Sequence, residues 1–304
     1  MLHALLLCAF VLVPLVCRAG NLQVVVLLSD NSASYLAFSN ELSKHLPAGT
    51  RTAVLEHPDQ PSLDVPQADL IVAVGIKAAE LSMTQTSTPV LAVMLSRMSY
   101  EDLMAQSPTK KSTRAISAIY LDQPWDIQLD FLHAVLPKRH KIGLLYSADS
   151  RIVISPLRQN ISDRGNSLIA QQIRSPDELF SSLEIVLDGS EVLLAAPDNM
   201  IYTSSNIRNI LLTSYHHNVP LIGLSQAYVN AGALCAIFST PEQLAEQAGV
   251  TVNSFEQIRR LPEPQYPDDF SIAVNPQVAR SLGIELPTQD AILNRMNQEQ
   301  EENP

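Results

Sequence analysis

The sequence predicts an α/β protein of two doubly wound parallel-sheet lobes joined by a hinge of three crossings. At 304 residues the chain is too long for one small domain and suits two lobes of ordinary size. Short apolar runs alternate with helical patterns along nearly all of it, which is typical of βα units around parallel sheets. The alternation restarts near residue 122, where we expect the second lobe to begin.

The first lobe begins with an almost continuous apolar run over residues 22–28. Such a run is expected of a strand that is covered on both faces of a parallel sheet. Residues 29–32, Ser-Asp-Asn-Ser, supply N-cap side chains for a helix over 33–45. The same reasoning predicts strands 51–56, 70–74, 90–95 and 115–120, and a helix over 76–82 behind Gly75.

The first helix of the second lobe is introduced by Pro124, which suits a first helical turn, and is amphipathic over 125–136. Gly165 stands where a helix C-cap is expected. The predicted strands of this lobe are 141–146, 167–171, 191–195, 219–223 and 233–238. Its predicted helices are 152–164, 176–187, 204–217 and 226–231.

The C-terminal part supplies elements that must pack back onto the two lobes. Thr240 and Pro241 open a long helix to about residue 260, followed by a strand over 270–274 and a short helix over 276–282. We expect crossings near residues 122, 240 and 265. The first lobe is then 20–121 plus 241–265, the second is 122–240 plus 266–290, and residues 291–304 form a disordered tail.

The N-terminal nineteen residues have the features of a signal peptide. An apolar run over 5–16 is too short to span a membrane, and Cys17 and Ala19 are small residues that predict cleavage before Gly20. The residues before the run carry little positive charge. Lipid anchoring at Cys17 is disfavoured, because Val16 stands where a small residue is normally required. We therefore expect a periplasmic protein.

Composition and motifs argue against several functions. A net charge of −11 without a basic stripe argues against nucleic acid and anionic lipid. Cys235, alone outside the signal segment, cannot form an internal disulfide and lies in an apolar run, so we expect a buried small hydrophobe. His216 and His217 are adjacent, about 100° apart on a helix, and make a poor metal pair. The sequence shows none of the common hydrolase, zinc or phosphate-loop motifs. We predict no enzyme, no cofactor and no metal.

Several segments of the second half carry a resemblance to a known family. They are 142–147 (IGLLYS), 191–198 (EVLLAAPD), 207–215 (IRNILLTSY), 219–225 (VPLIGLS), 231–234 (AGAL), 239–241 (STP) and 274–283 (VNPQVARSLG). These segments are similar to those of ABC-transporter periplasmic substrate-binding proteins. The resemblance covers residues 115 to 287 well and the first lobe in outline. It implies a type I periplasmic-binding-protein fold, a small polar ligand such as an amino acid, and an ABC permease as partner. We expect the protein to be a monomer. The alternative is a stand-alone periplasmic sensor or interaction module on the same fold.

Ligands of open α/β sheets bind beyond the carboxyl ends of the strands, so a two-lobed protein should bind its ligand between the lobes. This geometry selects residues that follow predicted strands. On the first lobe they are Ser29, Asn31, Ser32, Tyr35, Gly75, Lys77 and Ser96. On the second lobe they are Tyr146, Ser147, Asp149, Pro197, Asp198, Ser225 and Gln226.

A structural role competes with ligand contact at most of these positions. Ser29, Ser32 and Ser147 are equally suited to capping helices. Asp198 is suited either to capping the turn before Tyr202 or to pairing with a ligand ammonium group. Tyr35 and Tyr146 are suited to stacking against an aromatic ligand or to forming the rim of a core. Lys77 fits a solvated helix position, and Gly75 fits a tight turn.

Overall fold

The chain forms two separate β-sheets. The structure is a computed structural model, and it describes residues 22–55, 67–106, 116–148 and 151–302. The strands of the first sheet run parallel in the order β2-β1-β3-β4-β5. They are β1 Gln23–Leu28, β2 Arg51–Leu55, β3 Leu70–Val74, β4 Val90–Leu95 and β5 Ile116–Tyr120. The helices that follow β1, β3 and β4 are α1 Ala33–His45, α2 Ile76–Gln85 and α3 Arg97–Gln106.

The apolar run of β1 is explained by helices on both faces of this sheet. Val24 and Val26 face a cluster that includes Phe38 of α1. Val25 and Leu27 lie in a second cluster, on the opposite face of the sheet, together with residues of α2 and α3. Successive strand side chains point to opposite faces, so a strand covered on both sides is apolar throughout.

The second sheet has the order β11-β10-β9-β8-β6-β7 and is parallel except for β11, which pairs antiparallel with β10. Its strands are β6 Lys141–Ser147, β7 Ser167–Ile173, β8 Val192–Leu194, β9 Leu221–Gly223, β10 Cys235–Phe238 and β11 Ser271–Val274. The helices of this half are α4 Trp125–Val135, α5 Arg151–Asp163, α6 Leu179–Gly189, α7 Ile207–His216, α8 Gln226–Ala231, α10 Pro276–Ser281 and α11 Gln289–Glu302.

The chain passes between the two halves three times. It first leaves β5 for α4, and then leaves β10 for α9, Pro241–Ile258. Helix α9 packs in the core of the first half, where Leu244, Ala248 and Val252 join the cluster beside β1. Gln265 still pairs with Tyr120 and Ala118 of the first half before the chain returns to β11. The predicted fold class with its three-crossing hinge is confirmed.

A buried hydrogen-bond chain ties the three crossings together. Gln123 of the first crossing donates from Nε2 to Ser239 Oγ of the second at 2.7 Å. Ser239 Oγ donates in turn to the carbonyl of Asp269 in the third crossing at 2.6 Å. Gln123 and Ser239 are only 4% and 5% exposed. Because buried polar groups are costly without partners, this chain holds the crossings in one arrangement.

Replacing Ser239 by alanine should lower the free energy of unfolding by about 1 to 3 kcal/mol, since it leaves the buried Gln123 amide and the Asp269 carbonyl without this partner. Urea denaturation measures the loss. The control is Ser281→Ala, which removes an exposed serine hydroxyl bonded only within its own helix turn. Equal stabilities of the two variants would show that the hinge chain contributes nothing.

The predicted disordered tail is wrong for residues 291–302, which belong to helix α11. Ile292 and Met296 lie one helical turn apart and are buried in the core of the second half. Arg295 Nη1 also donates to the carbonyl of Ala134 in α4 at 2.9 Å. An apolar pair at i and i+4 within a polar segment therefore packs this helix against the core, together with the Arg295 hydrogen bond.

Helix α3 is an element that the sequence prediction missed. Its buried residues are Met98, Ser99, Tyr100, Leu103 and Met104, so the apolar stripe is interrupted by polar side chains. The predicted signal peptide over 1–19, its cleavage site and Asp149 lie outside the described residues. Within the described ranges, no helix is both long and apolar enough to cross a membrane.

Candidate functional site

A cavity of about 300 Å³ lies between the two halves of the molecule, at the carboxyl ends of both sheets. Its walls come from segments that follow β1, β3, β4 and β5 on one side and β8 and β9 on the other. The lining residues of the first half are Tyr35, Ile76, Met94, Leu95, Ser96, Ser99 and Leu121. Those of the second half are Pro197, Asp198, Asn199, Tyr202, Leu224, Ser225 and Tyr228.

Gly75 and Tyr35 form one corner of the first-half wall. Gly75 has φ 86°, and a Cβ built there would lie 2.5 Å from Tyr35 Oη and 2.7 Å from Ser29 Oγ. Ser29 Oγ accepts the Ala78 N–H of α2 at 2.9 Å, so this buried serine caps the helix. Burial, followed by the charge of Asp30, raises the pKa of Tyr35. A glycine at position 75 is therefore required for the tyrosine to reach the cavity.

The start of α3 forms the neighbouring part of this wall. Ser96 Oγ accepts the Ser99 N–H at 3.1 Å, and the two hydroxyl oxygens are 3.0 Å apart. The Arg97 N–H donates to Asp122 Oδ1 at 2.6 Å. Just before the helix, Met94 has φ 56° at an irregularity in the β4–β5 pairing. Such irregularities redirect side chains beside functional sites, and here Met94 and Ser96 both line the cavity.

A smaller cavity of about 70 Å³ lies at the hinge and shares lining residues with the larger one. It is lined by Ser96, Leu121, Asp122, Gln123, Gln128, Pro197, Leu224 and Ile237. Desolvation raises the pKa of Asp122 to about 6, even though the Arg97 N–H, its own backbone N–H and the Arg97 charge act in the opposite direction. A carboxylate beside the cleft therefore titrates near neutral pH.

Asp198 is a structural residue of the second-half wall. It is 3% exposed, and its carboxylate accepts the backbone N–H groups of Ser147 at 2.8 Å, Met200 at 3.0 Å and Ile201 at 3.2 Å. These bonds fix the turn after β8. Of the two roles that the sequence left open, the structure shows the capping role.

Two further tyrosines complete this wall. Tyr228 Oη donates to the carbonyl of Tyr202 at 3.2 Å, and burial raises the pKa of Tyr228 to about 12. Burial also raises the pKa of Tyr202, with smaller contributions from Tyr228 and Asp198. Both phenols are therefore uncharged at neutral pH. The second half thus presents uncharged aromatic side chains to the cavity.

The structure brings only some of the predicted site residues to the cavity. Tyr35, Ser96, Pro197, Asp198 and Ser225 line it. Gly75 lies beneath Tyr35, and Ser29 and Ser147 are buried behind the wall. The remaining ones are not among the lining residues: Asn31, Ser32, Lys77 and Gln226 are exposed, and half-buried Tyr146 packs against the core of the second half.

Four polar lining residues were missed by the sequence reasoning, namely Ser99, Asn199, Tyr202 and Tyr228. Ser99 was missed because α3 was not predicted. Asn199 and Tyr202 lie in the long segment between β8 and α7, which has no regular pattern to place it. Tyr228 lies on the predicted helix after β9, and its spacing from Ser225 could have suggested a second contact from the same helix.

Other features of the molecule lie away from this cavity. Cys235 is fully buried in β10, and burial raises the pKa of its thiol, so the predicted small hydrophobe is confirmed. Among the described residues, no group of three His, Cys, Asp or Glu side chains is placed to hold a metal ion. A larger, open depression of about 720 Å³ lies between the end of α4 and the start of α11, away from the carboxyl ends of the strands.

Comparisons with known proteins identify similar chains. The model of the family described as ABC transporter substrate binding protein matches residues 62–299. A ligand-free, open structure of a substrate-binding protein with adhesive properties from Clostridium difficile is 19% identical over 88% of this chain and 97% of that one, with a TM-score of 0.69.

Two other solved structures align over 90% of this chain and 98% of their own. A conserved domain protein from Vibrio cholerae is 17% identical with a TM-score of 0.64. An ABC domain in complex with L-Trp from Streptococcus pneumonia is 16% identical with a TM-score of 0.63. At these identities the likeness establishes the fold. No curated protein sequence matches the chain significantly.

Proposed function

This chain belongs to the ABC transporter substrate-binding protein family, and we propose that it captures a small polar molecule in the cleft between its two lobes for an ABC importer. The first lobe comprises residues 20–121 and 241–265, and the second comprises 122–240 and 266–302, helix α11 included. The protein acts as a monomer in the periplasm after its signal peptide has been removed.

The observation that carries this proposal is the cavity at the carboxyl ends of both sheets, with walls from both lobes. Its volume of about 300 Å³ is at the small end of the range of ligand pockets, about 300 to 1,000 Å³. Tyrosine, serine and aliphatic side chains line it together, which is the mixture expected for a small ligand that has both apolar and polar groups.

Closure about the hinge is the mechanism that this arrangement supports. A ligand that contacts both lobes binds the closed arrangement more tightly than the open one, so its binding shifts the population towards closure. The closed form then presents a surface to the permease that the open form lacks. Three tyrosine side chains line the cavity, namely Tyr35, Tyr202 and Tyr228. They favour a ligand with a planar or apolar part, and an aromatic amino acid is one candidate.

Thermal-shift screening against amino acids, sugars, nucleosides and amines tests the proposal. A ligand present at about 100 times its Kd should stabilise the folded protein by about 2.7 kcal/mol. The variant Tyr35→Ala should weaken binding of the hit by more than about 1 kcal/mol, as is common for a tyrosine contact. The control variant is Tyr215→Ala, on the surface of α7, where the side chain is 45% exposed.

Two results would contradict the proposal. One is a melting temperature that no compound in the screen raises. The other is a hit whose affinity is the same in the Tyr35→Ala variant and in the unchanged protein. Capture of a membrane sensor domain by a protein that binds no solute would favour the alternative, a stand-alone sensor or interaction module.

A further inference from the structure

A direct hydrogen bond joins the two lobes across the cavity. Asn199, in the segment after β8, donates from Nδ2 to Ser99 Oγ in the first turn of α3 at 3.2 Å. Both residues line the cavity. The bond connects two groups of the chain itself, so it needs no ligand atom to bridge the lobes.

The position of Ser99 depends on how the start of α3 is held. The Ser99 N–H is bonded to Ser96 Oγ, and the Arg97 N–H is bonded to Asp122 Oδ1. Asp122 belongs to the first crossing of the hinge, directly after Leu121. The carboxylate therefore connects the hinge to the helix end that carries the contact with Asn199.

Among the described residues, Arg97 on α3 and Tyr266 in the third crossing are ionisable groups that interact with Asp122. Arg97 Nη1 donates to Tyr266 Oη at 2.9 Å, which keeps the guanidinium group beside the hinge. The other side chains that line the small cavity, including Gln123, Gln128 and Ser96, are uncharged.

We propose that the Asn199–Ser99 hydrogen bond is a latch that favours the closed arrangement before ligand binds, and that Asp122 is a positioning residue that holds the latch in place. The inference rests on the proposed function, because closure matters only if the cleft binds a ligand. A latch of this kind raises the fraction of binding-competent protein and so strengthens the apparent affinity by the same factor.

The positioning by Asp122 depends on pH. An N–H group bonded to a carboxylate is held about twice as strongly as one bonded to a neutral acceptor. Since the pKa of Asp122 is raised to about 6, the carboxylate is charged at pH 7.5 and largely protonated at pH 5. Although the charged acceptor is the stronger one, the raised pKa shows that desolvation outweighs these hydrogen bonds, so ionisation of Asp122 opposes this arrangement and the latch is firmer at pH 5 than at pH 7.5.

Double electron–electron resonance on the ligand-free protein tests the latch. Spin labels are attached at Lys77→Cys on α2 and Gln226→Cys on α8, both exposed positions on opposite lobes, in the protein that begins at Gly20 and so lacks Cys8 and Cys17. The native Cys235 is fully buried and stays unlabelled. Asn199→Ala should raise the ratio of long to short interlobe distances about two- to tenfold, the effect of one lost hydrogen bond.

Variants of Asp122 separate positioning from a general loss of structure. Asp122→Ala removes the acceptor and should open the lobes, while Asp122→Asn keeps a neutral acceptor and should reproduce the pH 5 distribution of the unchanged protein at every pH. Far-ultraviolet circular dichroism checks that each variant is folded. Asn209→Ala, on α7 and outside the cleft, is the control for Asn199→Ala and should leave the distances unchanged.

The latch is overturned if Asn199→Ala leaves the distances unchanged. The role of Asp122 is overturned if the distances in the unchanged protein are equal at pH 5 and pH 7.5, or if Asp122→Asn retains a pH response. These measurements use no ligand, so they can fail while the solute screen succeeds. Conversely, a latch confirmed in a protein that binds no solute would refute only the proposed function.

Discussion

Replacing Gly75 by alanine should destabilise the protein by about 2 to 6 kcal/mol and abolish ligand capture. A side chain at φ 86° is strained, which costs about 1 to 3 kcal/mol. The new methyl group would also lie 2.5 Å from Tyr35 Oη and 2.7 Å from the buried Ser29 Oγ, and such overpacking costs about 1 to 3 kcal/mol. The protein can relieve the contact only by moving Tyr35 away from the cavity wall.

Gly165→Ala is the matched control for this variant. Gly165 also has a positive φ, 71°, but a Cβ built there has nothing within 4 Å. It should therefore show only the backbone cost, about 1 to 2 kcal/mol. Urea denaturation gives both free energies of unfolding, and the extra loss in Gly75→Ala reports the contact with Tyr35 and Ser29 together with the greater backbone strain at φ 86° and ψ 173°. Equal losses of stability in the two variants would mean that Tyr35 and Ser29 move away from the new methyl group at no measurable cost in free energy.

Asp122→Asn should raise the free energy of unfolding at pH 7.5 by about 1 to 2 kcal/mol. The pKa of Asp122 is raised by desolvation from an ordinary value of 3.8 to about 6, so folding opposes ionisation of this group. A shift of this size corresponds to at most about 3 kcal/mol. The side chain retains some exposure, so water reduces the expected effect.

The advantage of the asparagine variant should depend on pH in a defined direction. Above pH 6 the Asp122 carboxyl group is charged in both the folded and the unfolded protein. Only the folded protein then bears the full free-energy cost of desolvating that charge. As the pH falls from about 6 to about 4, Asp122 is protonated in the folded protein before it is protonated in the unfolded protein, and the free-energy cost of desolvating its charge disappears. The stability difference should therefore be largest above pH 6 and vanish near pH 4, as measured by urea denaturation across this range.

Glu184→Gln is the control for Asp122→Asn, since it removes one carboxylate from the exposed face of α6. Its stability should follow that of the unchanged protein across the whole pH range. If Asp122→Asn behaves in the same way as Glu184→Gln, the Asp122 carboxyl is not desolvated in the folded protein.

Much of the scaffold was predictable because each element carries a local pattern. Strand β1 is apolar at every position that two covered faces require. Helix α9 begins with a Thr240 cap whose hydroxyl accepts the Gln243 N–H, and Gln243 bonds back to the Thr240 N–H. These signals lie within a few residues of one another and need no tertiary information. The predicted binding role, as opposed to an enzymatic one, agrees with the family to which the chain belongs.

The candidate site was predictable only in its location. The rule that ligands lie beyond the carboxyl ends of parallel strands led to Tyr35, Ser96 and Ser225, which do line the cavity. The same rule selected Ser29 and Ser147, which the structure buries behind the wall. A position after a strand places a side chain at one end of the sheet. It does not determine whether that side chain lines the cavity or is buried behind its wall.

By itself the sequence determined the strands and helices of the two doubly wound lobes, because periodicity and capping are local properties, and the rule for open parallel sheets indicated the end of each sheet at which the cavity lies. The tertiary structure alone decided which side chains meet there. It docked α11 through Ile292 and Met296, made Asp198 a cap, and joined Asn199 to Ser99 across 100 positions of the chain. Such contacts depend on how the two lobes pack together, and no pattern within a short segment records that packing.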